Sequence, residues 1–239
     1  MSGRSRRAFL VGSAAAVACL PMLAGCASDP APTDVASAIR AGEFEDALRA
    51  AHALQAQGRD TPELRLVIGA MKFGLNQLAE AQRWFASAEG AGTYLLSDVT
   101  MDGDDALLRT EIAQADWLRL TALRLGESLA NLQAVDPVER VLAGAWDSER
   151  YLREKVAWSR RMFDASIVTT SGDRDAMLDD LADGEEPTFR CTGYFLVGEM
   201  ALARNDRDLA RKHLTLATAQ ELPLLEFYLA RAELAQLSA

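Results

Sequence analysis

Histidine and cysteine are scarce in this chain, with two of the first and three of the second among 239 residues. His52 and His213 stand far apart, and neither has a cysteine or a second histidine at ligand spacing, which argues against zinc. There is no nucleophile elbow and no glycine-rich phosphate loop. Basic charge is also outnumbered: 25 Lys and Arg face 35 Asp and Glu, for a formal net charge of -10. Such a balance argues against nucleic acid as a partner and against a polybasic membrane patch. No strand pattern of any length appears. The composition points to a non-enzyme with no metal or other cofactor.

A long, strongly apolar run is missing as well. Arg4, Arg6 and Arg7 are the only charges among the first 25 residues, and the 18 residues from Ala8 to Gly25 are rich in Ala, Gly and Ser and include Pro21. A spanning helix needs about 20 strongly apolar residues. A basic head, a soft apolar body and small residues at its end describe an export signal instead. Ser5-Arg6-Arg7-Ala8-Phe9-Leu10 resembles the twin-arginine motif, with Arg6 and Arg7 as the pair and Val11 where a Lys is often found. Leu23-Ala24-Gly25-Cys26 resembles the lipobox of bacterial lipoproteins. That resemblance implies removal of residues 1–25 and makes Cys26 the lipid-modified new N-terminus.

The same reading settles the cysteines. Cys19 leaves with the signal, Cys26 carries lipid, and Cys191 remains as a lone thiol, read as a small buried residue at a helix start. Losing three arginines and no acids takes the formal charge from -10 to -13 over the 214 residues from Cys26 onward. Residues 26–33, with Pro30 and Pro32, read as a lipidated tether. The expected location is the cell envelope, held by the N-terminal lipid, which in a Gram-negative cell means the periplasmic face of the outer or inner membrane.

Residues 34–239 read as one helical repeat domain. Gly42-Glu43-Phe44-Glu45-Asp46-Ala47 and Asn76-Gln77-Leu78-Ala79-Glu80-Ala81 lie 34 residues apart, and Asn205-Asp206-Arg207-Asp208-Leu209-Ala210 is a third copy. Around them Ile68-Gly69, Ala81, Phe85 and Ala88 are matched by Val197-Gly198, Ala210, Leu214 and Ala217. The glycine lets a second helix approach closely, the alanines suit a tight crossing, and Gly or Asn supplies the turn. This pattern resembles the tetratricopeptide repeat, a helix-turn-helix unit. It implies an all-α fold, an α-α superhelix of helical hairpins, degenerate in the middle. Pairs are expected at about 34–61, 62–95 and 191–224, with a capping helix at 224–237.

Between the copies, Asp104 to Gln133 reads as one long helix or a bent pair. Its expected apolar face includes Leu107, Leu108, Ile112, Leu118, Leu123 and Leu125, and Gly126 marks a bend. Ser97 to Asp104 is the expected irregular loop. Further helices are expected from Pro137 to Trp146, from Tyr151 to Phe163 after a cap at Ser148, and from Met177 to Leu181 after a cap at Asp173. In the final helix Leu224, Phe227, Tyr228 and Leu234 read as the apolar face, with Glu226 and Glu233 outward. Asp98 to Arg109 is spaced like a calcium loop, but Arg109 stands where a bidentate Glu belongs, so a solvated acidic loop is expected. Gly126-Glu127-Ser128 is similar to the catalytic-glutamate segment of lytic transglycosylases, yet the Gly- and Gln-rich stretch that should follow is absent.

The final third, taken with the lipobox, resembles outer-membrane tetratricopeptide lipoproteins that act as adaptors. In that register the first-helix positions facing the groove are Glu63, Leu66, Ala70 and Phe73 in one copy and Thr192, Phe195, Glu199 and Leu202 in the other. Leu66, Phe73, Phe195, Glu199 and Leu202 are the expected partner contacts, suited to a helix or extended segment with basic flanks; the alternative is that Leu66, Phe73, Phe195 and Leu202 pack against the non-repeating middle. The implied function is a lipid-anchored envelope scaffold that binds envelope proteins or peptides without catalysis. An accessory assembly subunit of a secretion or pilus complex is the alternative, and a cell-wall-acting enzyme the third reading.

Overall fold

Turn chemistry sets the helix boundaries. A computed structural model describes residues 34–88, 99–100, 107–108, 110, 112, 114–127, 150–167, 171–184 and 186–238. Cys26, Arg6, Arg7, the tether and the expected helix from Pro137 to Trp146 lie outside them. Asp34 accepts the Ser37 N–H and opens α1, Val35–Ala41. Gly42, with φ +81°, then closes it, and α2 follows at Phe44–Ala56. Thr61 caps α3, Pro62–Gly74, whose first residue has no N–H to leave unsatisfied. Helix α4 spans Leu78–Ser87.

Asn76 sits between α3 and α4 at φ 57°. Its N–H donates to Phe73 O and the Gln77 N–H donates to Lys72 O, both at 2.8 Å. The turn between α8, Pro187–Ala203, and α9, Arg207–Thr218, repeats this arrangement. There Asn205 takes φ 60°, its N–H donates to Leu202 O at 3.0 Å and the Asp206 N–H donates to Ala201 O at 2.9 Å. Asparagine tolerates the left-handed region better than other side chains with a Cβ.

The crossings also match. A Cβ on Gly69 would lie 2.6 Å from the Phe85 ring, and one on Gly198 would lie 2.7 Å from Leu214. Ala81 and Ala210 are fully buried beside them. Ala81→Trp or Ala210→Trp is therefore expected to force each pair apart and lower the melting temperature, at a cost of about 1–3 kcal/mol or more. Ala79→Trp, on the exposed side of α4, is expected to leave melting unchanged.

The architecture is all-α, a superhelix of helical hairpins, with ten helices among the described residues. Helices α5, Gln114–Arg124, α6, Arg150–Ser166, and α7, Ser171–Ala182, lie between the clear copies in sequence. Helix α5 packs between α4 and α8, α7 lies on α8, and the last helix, α10 at Leu225–Ser238, packs on α9 and α8. It also reaches back to α1 and α3, where the Gln236 side chain donates to Gly74 O at 3.0 Å.

The middle departs from expectation in several places. Leu107 and Leu108 are not helical: they form β2, antiparallel to β1 at Val99–Thr100, in a two-residue ladder. Adjacent leucines suit a strand as well as a helix, and only hydrogen bonding across to a second segment separates the two. The helix starts at Gln114 and stops at Arg124. Gly126 takes φ +72°, and its N–H and that of Glu127 close on Leu123 O and Ala122 O, so the glycine ends the helix and does not bend it. Leu125, at that exit, is exposed. Helix α7 begins at Ser171, which puts Asp173 inside its first turn and not at its cap.

Candidate functional site

The first-helix face is occupied by the chain itself. Leu66, Phe73, Phe195 and Glu199 are all buried, and only Leu202 is half-buried. Trp117 of α5 accounts for much of this. Its buried indole stacks on Phe85 at 5.1 Å and meets the edges of Phe73 at 5.6 Å and Phe195 at 6.0 Å. The expected groove residues are thus brought together as core, and four of the five are unavailable to a partner. The non-repeating α5 packs Trp117 against Phe73 and Phe195, where the repeat register expects a groove.

Glu199 belongs to a buried ionic cluster. The Arg124 guanidinium, at the end of α5, is hydrogen-bonded to Glu199. It also lies 3.5 Å from Glu233 of α10 and 3.3 Å from the Asn76 side-chain oxygen, and sits 5.5 Å over the Phe73 ring. Glu199 is 0 % exposed and Glu233 3 %. Burial, reinforced by the Glu233 charge, pushes the Glu199 carboxyl from 4.5 up to about 8, against the pull of Arg124. Burial raises Glu233 too. Burial also opposes the charge on Arg124, but the two carboxylates outweigh it and hold the guanidinium above its usual range.

The outward placement of Glu226 and Glu233 is therefore overturned. Both point inward, with Leu225, Leu229, Ala230 and Leu237. Glu226 accepts from the Thr110 hydroxyl at 2.9 Å and from the Ile112 N–H at 3.0 Å. The signal was present: Glu226, Leu229, Ala230, Glu233 and Leu237 share one face at helical spacing. Reading that stripe requires allowing two glutamates on a buried face, which composition alone discourages.

A second polar cluster joins α7, α8 and α9. His213 is buried with Nε2 2.9 Å from Asp179, and Lys212 reaches the other oxygen of that carboxylate at 2.9 Å. The Tyr194 hydroxyl donates to Asp183 at 2.8 Å, and its ring lies 6.0 Å from the imidazole. Burial lowers the His213 pKa, so the ring is neutral at neutral pH despite the carboxylate. Cys191 is buried in α8, and burial followed by the Glu226 charge pushes its thiol far above the ordinary range. A thiol so placed is not a nucleophile near neutrality.

Among the described residues, two shallow grooves lie open on the surface. One, of about 360 Å³, is lined by Gln55, Asp60, Arg65, Glu80, Arg83, Trp84 and Ser87. Arg65 donates to both Asp60 oxygens, at 2.9 and 2.6 Å, and to Ser87 O at 3.0 Å, which makes its wall rigid. The hydrogen bonds from Arg65 and Gln55 hold the exposed Asp60 carboxyl down to about 2. The other, of about 250 Å³, lies between α1 and α10 and is lined by Ile39, Arg40, Gly42, Tyr228, Arg231 and Ala235, among others.

Comparison with known proteins adds no relative: no family model, no curated protein and no solved structure matches the chain. Among the described residues no group of three or more His, Cys, Asp or Glu side chains is arranged to hold a metal ion. Among them also, no helix is long and apolar enough to cross a membrane.

Proposed function

We propose that this chain is a lipid-anchored envelope scaffold that binds other proteins or peptides through its helical array. The lipobox and the export motif support the location. The binding role rests on one observation, the composition of the two open grooves. Each combines an aromatic ring with unburied guanidinium groups, Trp84 with Arg83 in one and Tyr228 with Arg231 in the other. Trp, Tyr and Arg are the residue types that most often anchor protein interfaces. With the first-helix face filled by Trp117, docking moves to these outer grooves.

The test is capture of partners from detergent-solubilised envelopes with wild type, Trp84→Ala/Arg83→Glu and Tyr228→Ala/Arg231→Glu. One groove pair is expected to lose a co-purifying protein; since Trp84 and Tyr228 are half-buried against the core, those variants are expected to melt somewhat lower. Arg83→Glu and Arg231→Glu alone, at exposed side chains, are expected to weaken capture with melting near wild type, because exposed substitutions usually shift stability by under about 0.5 kcal/mol. Unchanged capture by both pairs would remove the grooves from the proposal. Captured secretin or pilin components would favour the assembly subunit over the adaptor. In parallel, Cys26→Ala is expected to abolish palmitate labelling and leave an unprocessed or soluble protein. Labelling that persists at the same mobility rules out the lipid anchor.

A further inference from the structure

Arg124 is the one cation in a cluster that holds two buried carboxylates, and the three side chains come from three helices. Glu199 belongs to the middle of α8, Glu233 to α10, and Arg124 to the last residue of α5. Asn76, from the α3–α4 turn, completes the grip on the guanidinium. One Glu199 oxygen is buried with no hydrogen-bond partner. Two full negative charges cannot be balanced there by one guanidinium, and an unpaired buried charge is expensive.

We propose that Arg124, Glu199 and Glu233 form a proton-dependent clasp that holds α10 against α5 and α8 and loosens as the medium turns alkaline. With one proton shared by the carboxylates, the cluster is neutral and α10 is locked. Without it, a net negative charge is buried, and the cheapest relief is movement of Glu233 into water together with its helix. Helix α10 is the last element; it packs chiefly on α9 and α8, while its hold on α3 is the Gln236 bond and Leu229 against Gly74, so the side facing α3 and Arg124 is where it opens.

The groups that act on Glu199 are Glu233 from α10 and Arg124 from α5; α3 contributes Phe73 and the α3–α4 turn Asn76, both neutral, and α9 sets Arg207 and Arg211 against Leu237 O at the far end of α10. From α7 and α9 the titratable groups at the seam with α8 are Asp175, Asp179, Lys212 and His213, which form the separate histidine cluster. The two clusters act in opposite pH directions. A carboxyl raised on folding contributes stability that is complete below about 4.5 and is lost as pH climbs through about 8. A lowered histidine contributes stability that is lost as pH falls below 6.5. The window from pH 6.5 to 8 therefore isolates the clasp.

The experiment is hydrogen exchange by mass spectrometry on the wild-type protein across pH 6.5–9, corrected for intrinsic exchange and read separately for α9 and α10. The opening equilibrium of α10 is expected to rise by up to about tenfold per pH unit until about pH 8, because opening releases one proton, and then to level off. Helix α9 is expected to stay flat. Glu199→Gln keeps the Arg124–Glu233 pair and mimics the protonated state, so it is expected to abolish the slope; Glu233→Gln serves the same purpose if the first variant does not fold. Opening of α10 that tracks α9 at every pH overturns the clasp, as does an unchanged slope in a folded glutamine variant. Since no variant is needed for the wild-type comparison, a folding failure does not remove the test. The outcome is independent of whether the scaffold reading stands.

Discussion

Phe195→Ala combined with Glu199→Lys is expected to leave no cooperative unfolding transition. The phenylalanine is fully buried against Trp117, so truncation costs about 3–5 kcal/mol. The lysine would set a second cation beside Arg124 at a fully buried position, and an uncompensated buried charge costs about a further 3–5 kcal/mol. Together these approach the whole stability of a typical domain, about 5–15 kcal/mol. Circular dichroism on heating checks the result, with Leu202→Ala as the comparison because that side chain is only half-buried. A double variant that melts like wild type would mean that the first-helix face is open after all. The distinction is worth making because register alone treats Phe195, Glu199 and Leu202 as equivalent.

Arg124→Met ranks second in expected effect. It keeps most of the stem volume but removes the only cation from Glu199 and Glu233, and also the contact over Phe73. Breaking a buried pair from one side costs about 3–5 kcal/mol, because the partner charge stays buried or must take up a proton. Both glutamates would then titrate higher still, so the variant is expected to regain stability in acid and to lose it steeply as pH rises past neutrality. The triple variant Arg124→Met with Glu199→Gln and Glu233→Gln is expected to recover much of the loss. Denaturant unfolding at pH 5.5 and 8 measures both. A single variant as stable as wild type at pH 8 would show that the guanidinium is not what holds the carboxylates.

The sequence was most informative where a local rule had a single solution. Asn76 and Asn205 announce tight turns because few residues accept positive φ. Gly69 and Gly198 announce close approach because a Cβ there would strike Phe85 or Leu214. Those constraints lie within one hairpin, between residues near in sequence, and so they repeat visibly at the period.

Tertiary structure decided what each first-helix face meets. Whether Leu66, Phe73 and Phe195 form a docking surface or a core depends on α5, which carries no repeat signature and whose Trp117 arrives from outside the repeat pattern. The same holds for Glu226 and Glu233: on an isolated helix they read as solvated, and only Arg124, Thr110 and the Ile112 N–H, distant in the chain, make their burial tolerable. Leu107 and Leu108 needed Val99 and Thr100 before they could be a strand. Periodicity records which side of an element is apolar or repeated. What covers that side is fixed by long-range packing, and a buried charge is stable only when its partner comes from elsewhere in the fold.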